Sequence, residues 1–222
     1  MIDDDKQAAA VAAVAEVRDG MLVGLGTGST AAFAIRALGE RVAAGLDVRA
    51  VVTSEASGAL ARQVGIAVLN FADIAQVDLT IDGADEIDAR CFAIKGAAML
   101  REKIVAASSA RMVVIADGSK RVERIGAAKL PVELLPFARG YVMRVLSDLG
   151  AAPVIRPNYR TDQDNLVADC RFPALEDPHA LAAVLAAIPG VLGHGLFLDE
   201  VDAAYIASKG VVTRLERSGA SA

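Results

Sequence analysis

Four short apolar runs constrain the fold of this chain more than any other feature: Met21 to Leu25, Val48 to Val52, Val77 to Ile81 and Met112 to Ala116. Each reads as a strand buried on both faces. The first three are separated by helical patterns: about Lys6 to Val17 comes before them, then Ala31 to Leu38 and Glu55 to Val64. Asp3, Asp4 and Asp5 can cap the first helix, which stops at Asp19-Gly20. Gly65 ends the third, and Ile66 to Leu69 is a further short strand. Strands alternating with helices predict a parallel sheet with right-handed crossovers. In such sheets ligands collect beyond the carboxyl ends of the strands.

Those ends are where the polar residues cluster. The first strand runs into Gly24-Leu25-Gly26-Thr27-Gly28-Ser29-Thr30, a glycine-rich turn opening a helix. Glycines admit an anion to the backbone N–H groups, and the helix N-terminus is electropositive. The turn is neither a dinucleotide fingerprint, since Ser29 stands at the third glycine, nor a Walker loop. A tight turn without a ligand is the competing reading, and the hydroxyls of Thr27, Ser29 and Thr30 favour phosphate. The second strand ends in Thr53-Ser54, and the next delivers Asp82-Gly83-Ala84-Asp85-Glu86-Ile87-Asp88. Lys95-Gly96-Ala97-Ala98-Met99-Leu100-Arg101-Glu102 follows, and the fourth apolar run ends in Asp117-Gly118-Ser119-Lys120. The ends at Gly26, Thr53-Ser54, Asp82 and Lys120 are expected to converge.

The pattern changes near Pro131. Val132 to Leu135 reads as a strand, Pro136 to Leu149 as a helix, Ala152 to Ile155 and Asn165 to Phe172 as strands, Pro178 to Ala187 as a helix and Val191 to Phe197 as a strand. This is the ferredoxin-like order. Tyr205 to Leu215 reads as strands returning to the first sheet. The expected fold is α/β: a Rossmann-like parallel sheet flanked by helices (residues 1–130 plus 204–222) with a smaller ferredoxin-like α+β domain inserted at 131–203.

Composition narrows the partners. The 222 residues carry a net charge of −5, which argues against nucleic acid or an anionic membrane. No apolar stretch reaches the roughly 18 residues of a membrane span, and the acidic N-terminus does not resemble a signal peptide. Hydrophobic residues make up 54%, much of it alanine, which favours helices packed closely on a sheet. Cys91 and Cys170 lack metal-ligand spacing and read as packing residues; His179 and His194 read as surface or packing residues. A cytoplasmic protein without metal is the expectation. Clustered carboxylates can hold Mg²⁺, but a neighbouring lysine competes with the cation.

Taken together, GLGTGST (24–30), TSEAS (53–57), DGADEID (82–88), LREKIVA (100–106), ADGSK (116–120), LPVELLPFA (130–138) and IPGVLGHGLF (188–197) resemble ribose-5-phosphate isomerase, type A, across nearly the whole chain. The resemblance implies an aldose–ketose isomerase of the non-oxidative pentose phosphate pathway. It would interconvert ribose 5-phosphate and ribulose 5-phosphate through an enediol(ate), without cofactor, usually as a homodimer or larger. It implies Glu102 as general base, Asp82 in ring opening, Asp85 on sugar hydroxyls and Lys95 on the enediolate charge. Thr27, Gly28, Ser29, Thr30, Lys120 and Lys6 would take the phosphate. Gly83, Ala84, Gly96, Ala97 and Ala98 would complete the substrate site. Glu86 and Asp88 are read as parts of a capped turn. One departure stands out: five residues separate Lys95 from Arg101, two fewer than the family's K-G-G-G-x-A-L-x-R-E-K. A sugar-phosphate sensor without catalysis and an acyl-CoA transferase-like enzyme are the alternatives weighed against the isomerase.

Overall fold

The computed structural model describes residues 2–97 and 99–218. In chain order the elements are α1 (Ile2–Val14), β1 (Leu22–Leu25), α2 (Ser29–Ala43), β2 (Arg49–Val52), α3 (Glu55–Gln63), β3 (Ala67–Val68), β4 (Leu79–Gly83), β5 (Glu86–Ile87), β6 (Ala93–Ile94), α4 (Met99–Ala107) and β7 (Met112–Asp117). There follow β8 (Leu130–Leu134), α5 (Arg139–Asp148), β9 (Ala152–Ile155), β10 (Leu166–Arg171), α6 (Pro178–Ala186), β11 (Val191–His194), β12 (Leu196–Phe197), β13 (Ala203–Ser208) and β14 (Val211–Glu216).

Seven strands form the main sheet in the order β14-β13-β7-β4-β1-β2-β3. All neighbours are parallel except the β13–β14 hairpin. The mixed α/β layering explains the apolar runs. Val113 and Ile115 of β7 pack into one core with Ala9, Ala13, Ile35 and Leu38 of α1 and α2. Met112, Val114 and Ala116 point the other way, into a core with Ala106 and Phe197. Both faces of the strand are covered, so every residue is buried. Alanines on α1 let that helix lie close to the sheet.

A second sheet has the order β11-β8-β10-β9, antiparallel throughout. With α5 and α6 in the chain order β8-α5-β9-β10-α6-β11, it has the arrangement expected from the sequence. The stretch Val191 to Phe197 is not one strand. It divides at Gly195, whose N–H donates to the Pro131 carbonyl (2.9 Å) and whose carbonyl accepts from the Lys95 N–H (2.9 Å). The chain thus leaves β8's sheet and enters a small third sheet, β12-β6-β5, which the sequence reading did not anticipate. That crossing ties the Lys95 segment to both sheets.

Two helices also differ from the reading. α1 begins at Ile2, so the three aspartates occupy its first turn, where they oppose the positive end of the helix dipole, and it ends at Val14. The stretch from Pro136 starts as a 3-10 turn, Pro136–Ala138, before α5. No described helix is long and apolar enough to cross a membrane.

Candidate active site

The main sheet places three strand ends around one cleft of about 280 Å³. Gly26 leaves β1 with its N–H on the Ile81 carbonyl (3.0 Å). Thr27 then donates its N–H to Asp82 Oδ1 (3.0 Å), and its hydroxyl meets that of Thr53 at 2.7 Å. Gly28 follows at φ 109°, a left-handed-side conformation that costs glycine little. As the capping position just before α2, it brings no side chain to cap the helix. The first amides of a 15-residue helix are therefore left for a ligand at its electropositive end. Lys6 reaches across from α1 to place Nζ 3.2 Å from Ser29 Oγ and 3.5 Å from Asp3. Lys120 ends the 3-10 turn after β7, a turn fixed by Asp117, whose Oδ1 accepts from the Ser119 N–H at 3.0 Å. Lys6, Thr27, Gly28, Ser29, Thr30 and Lys120 all line the cleft. Two ammonium groups, hydroxyls and helix amides meet there, which is the chemistry that holds a phosphate dianion.

The other end of the cleft is bordered by Lys95 and Glu102, two members of a buried charge cluster whose third, Asp82, does not line it. Asp82, near the end of β4, is fully buried, with Oδ1 also accepting from the Gly83 N–H at 2.7 Å. Glu102, in the first turn of α4, is 1% exposed, and Lys95 is 2% exposed. Lys95 Nζ stands 2.8 Å from Asp82 Oδ2 and 3.4 Å from Glu102 Oε1, and also donates to the Gly83 carbonyl. Burial alone would lower the Lys95 pKa; the two carboxylates outweigh it and hold the ammonium above the ordinary lysine value. The Phe197 ring lies 5.4 Å from the same Nζ. The place a cation would take between Asp82 and Glu102 is filled by this ammonium. Among the described residues no three His, Cys, Asp or Glu side chains converge for metal ligation.

Gly83, Ala84, Asp85, Gly96 and Ala97 line the wall between the two ends. Gly96 passes close to Asp85: a Cβ there would lie 2.6 Å from Asp85 Oδ2. Ala98 lies outside the described residues. The short Lys95–Arg101 segment thus still brings Lys95 between the two carboxylates.

Several residues play parts that the sequence did not disclose. Thr53 and Ser54 reach the strand ends as expected but stand against the glycine-rich turn, not on the cleft. Thr53 holds Thr27, Ser54 caps α3 by accepting from the Ser57 N–H (3.2 Å), and Ser57 Oγ donates to the Gly26 carbonyl (2.6 Å). Asp117, Ser119 and Ile2 line the cleft; the ADGSK stretch was a signal for the first two. Asp88 does cap its turn, taking the N–H groups of Arg90 (2.9 Å) and Phe92 (3.2 Å). Glu86 does not belong to that turn: its carboxylate accepts from the Gly126 and Ala128 N–H groups, both at 2.6 Å, and so pins a distant loop. His179 lies at the surface beside Asp199 and His194 is buried; neither borders the cleft.

A parallel sheet with an anion cradle at its strand ends, and a buried group in which Lys95 stands between Asp82 of β4 and Glu102 of α4, is the architecture of an enzyme suited to acid–base chemistry on a small phosphate ester. Comparison with known proteins makes this specific. Residues 49–210 match the family model described as ribose 5-phosphate isomerase A (phosphoriboisomerase A). The ribose-5-phosphate isomerase A of Sphingopyxis alaskensis is 51% identical over 209 residues, covering 91% of this chain and 92% of that protein. That of Roseiflexus castenholzii is 47% identical over 226 residues, covering 97% of each. A solved D-ribose-5-phosphate isomerase in complex with phospho-erythronic acid superposes with a TM-score of 0.95 at 32% identity, covering 98% of this chain and 100% of that one. The enzyme from Methanocaldococcus jannaschii gives 0.91 at 38%, covering 96% and 98%. The chain belongs to the ribose-5-phosphate isomerase A family, and with it to the enzymes that isomerise ribose 5-phosphate.

Proposed function

We propose that Glu102 is the general base of this isomerisation and that the cleft holds the open-chain sugar phosphate with its anionic end against Gly28 to Thr30, Lys6 and Lys120. In the direction of ribulose 5-phosphate, Glu102 takes the proton from C2 of the aldose and gives it to C1. The hydroxyl proton on O2 leaves as O2 becomes the new carbonyl, and O1 gains one. Such a base contributes about 10²–10⁴-fold. The enediolate formed between the two steps carries negative charge on oxygen, and the Lys95 ammonium is the fixed cation beside it. A pre-placed group of this kind is worth about 3 kcal/mol. Asp82 exchanges a proton with the ring oxygen or its hydroxyl during opening of the furanose. Asp85, on the wall, holds sugar hydroxyls, with Gly83, Ala84, Gly96 and Ala97 around the sugar.

The observation that carries the reading is the position of Lys95 Nζ, 2.8 Å from Asp82 and 3.4 Å from Glu102, in a cleft whose opposite end opens on an uncapped helix start. Glu102→Gln keeps the shape of the side chain and removes its basicity. It should abolish formation of ketose from ribose 5-phosphate, followed by absorbance, while leaving sugar-phosphate affinity nearly intact. Turnover near the wild-type rate would reject Glu102 as the base. Binding without turnover by the wild-type chain would favour a sensor.

The same reading places the reaction in the non-oxidative pentose phosphate pathway, in the cytoplasm, in a homodimer. It divides the chain into a catalytic domain of residues 1–130 plus 204–222 and a small domain of 131–203.

A further inference from the structure

The connection between β9 and β10 leaves the small sheet and reaches the turn that carries Lys95. Arg156 is clamped by Asp169 of β10, with Nη2 2.6 Å from Oδ1 and Nε 3.2 Å from Oδ2. Its remaining nitrogen, Nη1, donates to the Gly96 carbonyl at 3.1 Å. Its guanidinium lies 4.8 Å from the centroid of the Tyr159 ring, and the Tyr159 hydroxyl donates to the Ala97 carbonyl at 2.8 Å. The connection is itself anchored. Glu133 of β8, fully buried, accepts from Thr161 Oγ1 and Asn165 Nδ2, both at 2.9 Å. Asp162 Oδ2 accepts from the Glu55 N–H at the start of α3 (2.8 Å).

Because a peptide unit is planar and trans, holding the Gly96 carbonyl toward Arg156 turns the Ala97 N–H the opposite way. Gly96 and Ala97 border the cleft together with Lys95 and Glu102, whereas Tyr159 borders a neighbouring cavity of about 180 Å³. Tyr159 therefore acts on the turn and not on the sugar. We propose that Tyr159, stacked on Arg156, is a positioning residue for the isomerisation: Arg156 holds the peptide before Ala97 and the Tyr159 hydroxyl the one after it, and the two together fix the Ala97 N–H toward the enediolate. The proposal rests on the reading of the cleft given above.

Tyr159→Phe removes one hydroxyl and keeps the ring against Arg156. The loss of one neutral hydrogen bond sets the expected scale at roughly fivefold. Turnover of ribose 5-phosphate should fall by about that factor with its KM little changed. Affinity for phospho-erythronic acid, whose planar carboxylate resembles an enediolate, should weaken by the same factor when measured by calorimetry. Affinity for inorganic phosphate should be unchanged, because Lys6, Lys120 and α2 are untouched. A merely structural role would lower the active fraction without changing affinity. Wild-type turnover and wild-type phospho-erythronic acid affinity in the variant would overturn the proposal, as would equal weakening toward both ligands. The calorimetric comparison needs no turnover, so it reads Tyr159 even if the wild-type chain fails to isomerise ribose 5-phosphate, which would refute the activity separately.

Discussion

Lys95 shows how much one side chain can be made to do when it is removed from water. A buried ammonium is costly unless paired, and here Asp82 and Glu102 pair it on two sides while Gly83 accepts a further bond. The cluster holds two carboxylates against one ammonium, which keeps Lys95 charged despite its burial. Lys120 works differently. It sits at the end of a 3-10 turn and borders the anion cradle without joining the buried cluster. Lys120→Ala should therefore act mainly on binding: a charge-assisted hydrogen bond is worth about 1.5–3 kcal/mol, so the KM for ribose 5-phosphate should rise roughly 10- to 100-fold with a smaller effect on kcat. Steady-state kinetics check this, and an unchanged KM with a large fall in kcat would contradict a phosphate role.

Among the elements, β11 carries a titration that the chemistry does not use. His194 at its end is buried, and burial first, then the nearby Lys103, lower its pKa to about 4. The folded state thus keeps it neutral where the unfolded chain, with a pKa near 6.5, binds a proton. The stability this confers is fully present above pH 6.5 and is lost as pH falls toward 4, to a total of about 3 kcal/mol. Denaturant unfolding at pH 7 and pH 4.5 should show a smaller acid loss in His194→Gln than in the wild type. Equal losses would show that His194 is not the group responsible. The elements were also where the sequence was most and least readable. Runs such as Met112 to Ala116 are visible because both faces of a central parallel strand are apolar. The break at Gly195 was not, since what ends β11 is a pair of backbone bonds to Pro131 and Lys95, residues far away in the chain. Glu86 was misread for the same reason: its partners, Gly126 and Ala128, are supplied by tertiary structure. The glycine-rich turn from Gly26 to Thr30 and its place on the cleft were readable because glycines and hydroxyls are local signals. The bonds from Arg156 and Tyr159 to the Gly96 and Ala97 carbonyls were not, because nothing in their own neighbourhood marks them.

At the scale of the molecule, the two larger sheets share a task. The parallel sheet supplies the anion cradle and Asp82 at its strand ends, and the β9–β10 connection of the antiparallel sheet holds the Gly96 and Ala97 carbonyls ahead of α4, which carries Glu102. The central claim is that one sugar phosphate spans both ends of the cleft. A crystal structure with phospho-erythronic acid bound tests it most directly. The account predicts the phosphate against the amides of Gly28 to Thr30 and Lys120, with the carboxylate end within hydrogen-bond reach, about 3 Å, of Lys95 and Glu102. A phosphate bound elsewhere, or Glu102 turned out to bulk water, would contradict it.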